Sequence, residues 1–333
     1  MHQRIRISDI AEELGLSTAT VSNVLHGKPG KASEETVRRV QELLEKRQYI
    51  PSMAGILLAQ NSSRIIGIFV NDHEKYEGHT LQDAFIAASL DCLSVEIEAR
   101  GLFMMVKRAR EAEEIIKFAS MWNMDGLVVI GFCAQDYSYL RRHMRIPFVV
   151  YDGLCDKPER IVNLTLDNFD GGRQVGEYFR TGGHTRALCV ADNYEGVDRE
   201  RIEGFIAGFG GGAELMRVPM TAAARQAHYL SARERLCGVT AIFAVSDYYA
   251  AELISFLGGE GLSVPGDISV AGFDDNPLCL LTQPTLTSVR QDGAQRARLA
   301  LDKLAALSRG DEAGGTVKLP VQLILRGSTR PAR

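Results

Sequence analysis

The 333-residue sequence has no apolar run approaching the roughly 18 residues that span a bilayer; its longest are of the kind Ile65 to Val70 and Gly126 to Phe132. No association with a membrane is expected. The N-terminus, Met1-His2-Gln3-Arg4-Ile5-Arg6, is basic but does not lead into the apolar stretch of a secretory signal, so the chain is expected in the cytoplasm. The six cysteines (Cys92, Cys133, Cys155, Cys189, Cys237, Cys279) lie more than 20 residues apart without a CxxC pair. That spacing speaks against a zinc site or a disulfide framework and for buried, reduced thiols. The histidines, His73, His79, His184 and His228 among them, show no metal-ligand spacing. Missing too are a GxSxG elbow, a phosphate loop ending in Gly-Lys-Ser/Thr and an HExxH pair, so neither an enzyme nor a cofactor is expected. Gly208-Phe-Gly-Gly-Gly212 follows a helical stretch instead of opening one after a strand, and reads as loop glycine.

What is present is the composition of a folded protein, with 45% hydrophobic and 24% charged residues. The length exceeds what one core usually organises, which predicts two or more domains. The net charge of −4 conceals a split. Residues 1–60 carry eight Lys/Arg against seven Asp/Glu, leaving −5 on the remainder, a slight bias toward nucleic acid at the N-terminus.

The first fifty residues predict three short helices, Ser8 to Leu14, Ser17 to Leu25 and Ser33 to Arg47, each opened by a serine that can accept from the free amides of the first turn. Only Gly15-Leu16 separates the first two, a tight glycine turn. Ile10, Ala11, Leu14, Leu16, Val21 and Leu25 can form one small core. Tyr49-Ile50-Pro51 ends the unit, because the residue before a proline is pushed out of the helical region. Beyond Asn61-Ser62-Ser63 the texture changes. Short apolar runs at Ile65–Val70, Leu102–Val106, Leu127–Ile130, Phe148–Tyr151, Ala187–Ala191, Ala241–Val245 and Ile268–Gly272 suit buried parallel strands. Helical stretches lie between them, one with Leu81, Phe85, Ile86, Leu90, Leu93 and Ile97 at helical spacing, others at Arg173 to Arg180 and Asp247 to Leu257. Repeated βα units mean doubly wound parallel sheets, and the length favours two sheets with a cleft between them.

The run Ile7-Ser-Asp-Ile-Ala-Glu-Glu-Leu-Gly-Leu-Ser-Thr-Ala-Thr-Val-Ser-Asn-Val-Leu-His-Gly27, with Ser33-Glu-Glu-Thr-Val-Arg-Arg-Val40 and Tyr49-Ile-Pro51, resembles the head of the LacI/GalR family of regulators. So do Phe169-Asp-Gly-Gly172, Arg199-Glu-Arg-Ile-Glu-Gly-Phe205, Val264-Pro-Gly-Asp-Ile-Ser-Val-Ala-Gly-Phe-Asp-Asp275, Pro284-Thr-Leu-Thr-Ser-Val-Arg-Gln291 and Leu319-Pro-Val-Gln-Leu-Ile-Leu-Arg-Gly-Ser-Thr329 in the rest of the chain. The resemblance implies a helix-turn-helix head at residues 1–50 and a hinge at 51–62. It also implies a periplasmic-binding-protein-like body of two α/β subdomains, one at 63–161 and 291–319, the other at 162–290 and 320–333. The function implied is that of a transcription regulator, a repressor, binding a palindromic operator as a homodimer under control of a small molecule, a sugar or related metabolite, and nucleoid-associated when bound.

In such a head the second helix enters the major groove, so Thr18, Ala19 and Asn23 are placed to read bases, Asn23 pairing bidentately with adenine and the methyls of Thr18 and Ala19 meeting thymine. Ser17, Thr20 and Ser22 would reach phosphates, helped by Arg4, Arg6, His26 and Tyr49. Asn23 stands where the family more often has Arg or His. In the hinge, the resemblance makes Leu58 a minor-groove wedge, against the plainer reading of Ser52 to Leu58 as an apolar linker. Gly55 and Ile56 depart from the alanine and arginine of the family pattern.

Open α/β sheets bind ligands at the carboxyl ends of their strands. Asp152, Ser246 and Asp274 follow strands, Arg201 sits near the start of a helix, and all four fall where the resemblance puts effector-binding residues. On the residues alone, Asp274-Asp275 can equally cap a turn before Pro277, and Arg201 can form a solvated ion pair with Asp198 or Glu203. Asn71-Asp-His-Glu-Lys-Tyr-Glu-Gly-His79 replaces the family's Asn-Pro-Phe-Phe run, which leaves the ligand contacts of the first subdomain unassigned. No leucine heptad follows Thr329, so the tetramer-forming helix of some relatives is not expected.

Overall fold

The computed structural model describes residues 5–25, 27, 30, 32–49, 62–153, 161–311 and 314–332. The chain divides into two units, Met1–Ser63 and Arg64–Arg333. Residues 51–61 of the hinge expected at 51–62, Gly55 and Leu58 among them, lie outside the described residues, as do Arg4, His26 and Cys155.

The head holds α1 (Ile7–Leu14), α2 (Thr18–Leu25) and α3 (Glu34–Lys46) around a core of Ile10, Ala11, Val21, Val24, Val40 and Leu43. Two of the three serine starts hold: Thr20 N donates to Ser17 Oγ at 3.1 Å and Thr36 N to Ser33 Oγ at 3.2 Å. The first does not. Helix α1 begins one residue earlier, at Ile7, with Asp9 Oδ2, three residues into the start of the helix, accepting from the N–H of the cap residue Arg6 at 2.8 Å. Gly15, at φ +69, takes the left-handed turn that lets Leu16 N bond back to Ala11 O at 2.9 Å. Leu25 is only half-buried and Val24 takes its place in the core, since Val24 lies three residues from Val21 on the same helical face. Arg47 closes the unit with Nη2 at 2.6 Å from Glu13 Oε2.

The body contains two parallel sheets. In chain order the strands are β1 (Ile65–Asn71), β2 (Phe103–Ala109), β3 (Gly126–Ile130), β4 (Phe148–Tyr151), β5 (Val162–Leu166), β6 (Ala187–Ala191), β7 (Ala213–Arg217), β8 (Ala241–Ala244), β9 (Ser269–Asp274), β10 (Thr287–Arg290), β11 (Gly315–Leu319) and β12 (Gln322–Ile324). The first sheet runs β11-β5-β4-β3-β1-β2, the second β12-β10-β9-β8-β6-β7, and only β10 and β12 pair antiparallel. The helices that matter below are α4 (Ala84–Ala99), α5 (Ala112–Met121), α6 (Ala134–His143), α7 (Asn168–Thr181), α8 (Gly196–Phe209), α9 (Ala222–Ser231), α10 (Arg233–Cys237), α11 (Asp247–Gly259) and α12 (Gly293–Arg309). Among the described residues no helix is long and apolar enough to cross a membrane.

The expected boundary at 161/162 falls one strand early. Val162–Leu166 pairs with β4 and belongs to the first sheet, and the chain crosses at Asp167, whose N–H donates to Leu319 O at 2.8 Å. Its alternation of Asn163 and Thr165 with apolar residues hid it, although both polar side chains are buried. The edge strands β7, β11 and β12 were hidden for the opposite reason, being partly exposed and mixed in polarity. Leu81 is not on the helical stripe expected for it: it lies in a 3-10 turn, Thr80–Gln82, and is 42% exposed, because α4 starts only at Ala84 under the cap of Asp83. The thiols are not all buried either. Cys189 and Cys279 are, but Cys133 and Cys237 are exposed at a helix start and a helix end.

Helices α7 and α8 pack with their backbones in contact. A methyl group on Gly172 would stand 2.0 Å from Arg201 O, and one on Gly204 would stand 1.9 Å from Phe169 O. The segments Phe169-Asp-Gly-Gly172 and Arg199–Phe205, separate in sequence, thus meet glycine against carbonyl. That contact seats Arg201 at the end of the second sheet.

Candidate nucleic-acid interface and effector cleft

On α2 the apolar residues Val21 and Val24 face the core, which leaves Thr18, Ala19 and Asn23 exposed on the outer side, with Thr20 and Ser22 half-exposed. Ala19 and Asn23 are one helical turn apart, the spacing of two neighbours on one face. Ser17 Oγ and Thr20 Oγ1 lie 2.9 Å apart, so their hydroxyls share one bond at the start of the helix, where Ser17 Oγ also accepts from Thr20 N. Arg6 is exposed. Tyr49 is half-buried against the head core, which makes it at least partly a packing residue.

In the body, the four residues singled out from the sequence converge on the ends of the strands. Arg201 is buried, 4% exposed, and lies flat on Phe273 with its guanidinium carbon 3.8 Å from the ring centroid. Its Nε donates to Asn168 Oδ1 at 2.9 Å and Nη1 to Val245 O at 2.8 Å, while Nη2 stands 3.7 Å from Asp274 Oδ1. Its Nη1 also stands 4.0 Å from Asp198 Oδ1, so the ion pair expected with Asp198 forms, but buried and not solvated, while Glu203 instead holds Arg199 at 2.8 Å. Asp274 does not cap the turn before Pro277; Asn276 does, accepting from Leu278 N. Asp275 is held by Arg290 at 2.6 Å and by Arg326. Ser246 caps α11, its Oγ 3.4 Å from Tyr249 N, and remains half-exposed.

Asp152 follows directly on β4 at φ +65, and Asp274 ends β9 at φ +117. Left-handed backbone is costly for residues with a side chain, though least so for Asp and Asn, and it persists only where the surroundings enforce it. Both aspartates are turned by it toward the gap between the sheets, and one hydrogen-bonded path joins them. Asp274 Oδ1 accepts from Gln291 Nε2 at 3.1 Å, Gln291 Oε1 from Arg296 Nη1 at 3.0 Å, and Asp152 Oδ1 from Arg296 Nη2 at 3.1 Å. Arg296 is fully buried, stacks 4.1 Å from the Tyr151 ring centroid, and has an Nε without a partner. Gln291 and Arg296 were missed in the sequence. A signal existed for the second, an arginine on the apolar stripe formed by Ala297, Ala300, Leu301 and Leu304 of α12.

The charges of the two aspartates diverge. For Asp152, burial opposes ionisation, but Arg296, Arg201 and Lys75 outweigh it and hold the carboxyl below its ordinary range. For Asp274, burial dominates over Arg201, and the nearby Asp247, Asp152 and Asp83 add to it, so that carboxyl is pushed well above the ordinary range. The gap therefore holds two carboxyls whose ionisation is shifted in opposite directions, with the Arg201 guanidinium beside Asp274. Such a set grips vicinal hydroxyls, which both donate and accept. Among the described residues no group of His, Cys, Asp and Glu could hold a metal ion.

A three-helix head with an exposed second helix, joined to two parallel-sheet subdomains around a polar cleft, defines a DNA-binding regulator with a periplasmic-binding type of body. Two family models match, Bacterial regulatory proteins, lacI family, over residues 6–52 and Periplasmic binding protein-like domain over residues 177–329. The chain belongs to the LacI family of bacterial transcription regulators. Among its relatives are the HTH-type transcriptional repressor CytR of Escherichia coli K12, 25% identical over 97% of this chain and 96% of that one, and the probable HTH-type transcriptional repressor ExuR of Bacillus subtilis, 27% identical over 91% of each. The fold is that of the lac repressor dimer bound to operator and the anti-inducer ONPF, with a TM-score of 0.83 at 22% identity, covering 98% of this chain and 100% of that one. The CelR-cellobiose complex aligns over 98% and 100% of the chains with a TM-score of 0.71, also at 22% identity.

Proposed function

We propose that this protein is a homodimeric, cytoplasmic repressor that recognises a palindromic operator through α2 and is switched by a small polyhydroxylated effector between its two subdomains. The single observation that carries the effector site is the path Asp152–Arg296–Gln291–Asp274, which crosses from one sheet to the other and ends beside Arg201. A ligand replacing any bond of that path changes the relation of the subdomains, which is what a switch requires. Asp152, Arg201, Ser246 and Asp274 are the assigned ligand contacts. The names of the relatives support repression, and the cellobiose-bound CelR supports a sugar.

For DNA, Thr18, Ala19 and Asn23 read bases and Ser17, Thr20, Ser22 and Arg6 hold phosphates. Arg4, His26 and Tyr49 join the phosphate contacts and Leu58 enters the minor groove. The exposed Leu280 and Leu281, at 63% and 78%, support self-association, since adjacent apolar side chains this bare are seldom left to water. The test is a thermal-shift screen of sugars and sugar acids, followed by operator binding with and without each hit. A compound at 100 times its dissociation constant adds about 2.7 kcal/mol of stability. No stabilising compound, or one without effect on DNA binding, would overturn the effector reading.

A further inference from the structure

The stretch Asn71–His79, which replaces the family's usual run, is pinned to the first subdomain. Thr80 Oγ1 donates to Asp72 Oδ1 at 2.5 Å, Arg108 Nη1 to Gly78 O at 2.9 Å, and Lys75 N to His73 Nδ1 at 3.2 Å. From this anchored base Glu77, which closes the 3-10 turn Glu74–Tyr76, reaches the second subdomain. Glu77, held at φ +48, accepts from the backbone N–H of Ala222 at 3.1 Å. Ala222 opens α9, whose own N-cap residue, Thr221, supplies no side-chain bond. A helix leaves its first amides unpaired and its N-terminus attracts anions. Here the capping carboxylate comes from the opposite subdomain.

Lys75, two residues before Glu77, adds a charge to this contact. It is half-buried with its ammonium 5.2 Å from the Tyr76 ring centroid. Burial opposes its charge, but Tyr76, Asp198, Asp192 and Tyr249 outweigh it and raise the ammonium above the ordinary lysine range. Three of those four belong to the second subdomain. One of them, Asp192, is 5% exposed and its Oδ2 has no hydrogen-bond partner, so a nearby positive charge offsets part of its cost of burial.

We propose that Lys75 and Glu77 form a clasp that draws the second subdomain onto the first, so that closure of the cleft is set by the chain's own side chains. An effector entering the cleft acts on a joint already biased toward closure. That consequence rests on the effector reading given above, but the clasp itself is tested on the protein alone, so its failure is distinct from an empty effector screen.

The experiment uses the full chain without added ligand and reads two quantities, hydrogen exchange at the Ala222 amide and the radius of gyration from solution scattering. Glu77→Ala, which removes the accepting oxygen, is expected to speed exchange at Ala222 about fivefold, the loss of a side-chain helix cap. The pair Lys75→Met with Glu77→Ala is expected to raise the radius of gyration, while Lys75→Arg, which keeps the charge, leaves it at the parental value. Glu74→Ala, on the same turn, is expected to change neither quantity. Unchanged exchange in Glu77→Ala overturns the proposal. So does faster exchange with an unchanged radius in the double variant, which would reduce Glu77 to a local cap.

Discussion

The guanidinium carbon of Arg201 lies over the Phe273 ring, 3.8 Å from its centroid, and Phe273 stands one residue before Asp274 at the end of the same strand. The ring covers one face of the cation, Asn168 and Val245 accept from Nε and Nη1, and Nη2 stands beside Asp274 at 3.7 Å. An arginine held this way has lost its side-chain freedom before anything binds, which lowers the entropy cost of recognition.

Asp274→Ala is expected to leave operator affinity in the absence of effector within a few-fold while weakening the effector's action about 10- to 100-fold, the loss of a charged hydrogen bond being worth about 1.5 to 3 kcal/mol. Titrating a hit from the sugar screen against the operator complex measures this. A variant that responded as the parent does would remove Asp274 from the site.

The contact between α7 and α8 predicts a second outcome. Gly204→Ala places a methyl group 1.9 Å from Phe169 O, so the helices must separate and Arg201 must move with them. Overpacking of this kind costs about 1 to 3 kcal/mol or more. The melting temperature and the effector response should fall together. Gly211→Ala, in the loop after α8 with open space around it, should alter neither.

The pH dependence of stability follows from Asp247. Burial pushes this carboxyl up to about 6, against the hydrogen bonds from Ser288, Cys279 and Asn276, with Asp275 adding to the rise. The folded state keeps a proton that the unfolded chain releases at the ordinary carboxylate value of about 4. Stability therefore falls as pH rises through the window from about 4 to 6, by at most about 1.4 kcal/mol per pH unit from this one group. Asp274 titrates with the same sign, and Asp152, lowered, with the opposite sign. Asp247→Asn should flatten part of the slope when urea midpoints are compared at several pH values. An unaltered slope would mean that Asp247 does not titrate there.

On DNA, Asn23→Ala should cost roughly 1 to 3 kcal/mol per half-site and relax one base position, while Arg6→Ala should weaken all sequences alike and flatten the salt slope. Binding-site selection with each variant separates the two roles, and an unchanged selected site for Asn23→Ala would contradict base reading.

The hinge gives a further prediction from the sequence. If residues 52–58 fold as a helix on the operator, Gly55→Ala should improve operator binding by up to about 2 kcal/mol for two copies, and Leu58→Ala should weaken specific binding far more than non-specific binding. Titration against operator and random DNA at one salt concentration decides it. Equal binding of Leu58→Ala and the parent to both would make the segment a plain linker.

The sequence by itself determined the head, the buried central strands and the family. Each rests on local pattern: Val21 and Val24 fall three residues apart on one helical face, and Ile65–Val70 is apolar throughout because both faces of its strand are covered. It also placed Asp152, Arg201, Ser246 and Asp274 near strand ends, since a strand's carboxyl end can be read from its apolar run. Only the tertiary structure decided how these residues meet. That Gln291 and Arg296 connect Asp152 to Asp274, that Glu77 caps a helix 145 residues away, and that Val162–Leu166 belongs to the first sheet all depend on the chain crossing between two sheets. Periodicity reports which face of an element is buried, but not which distant element buries it, and side chains whose partners lie across a crossover carry no local signature.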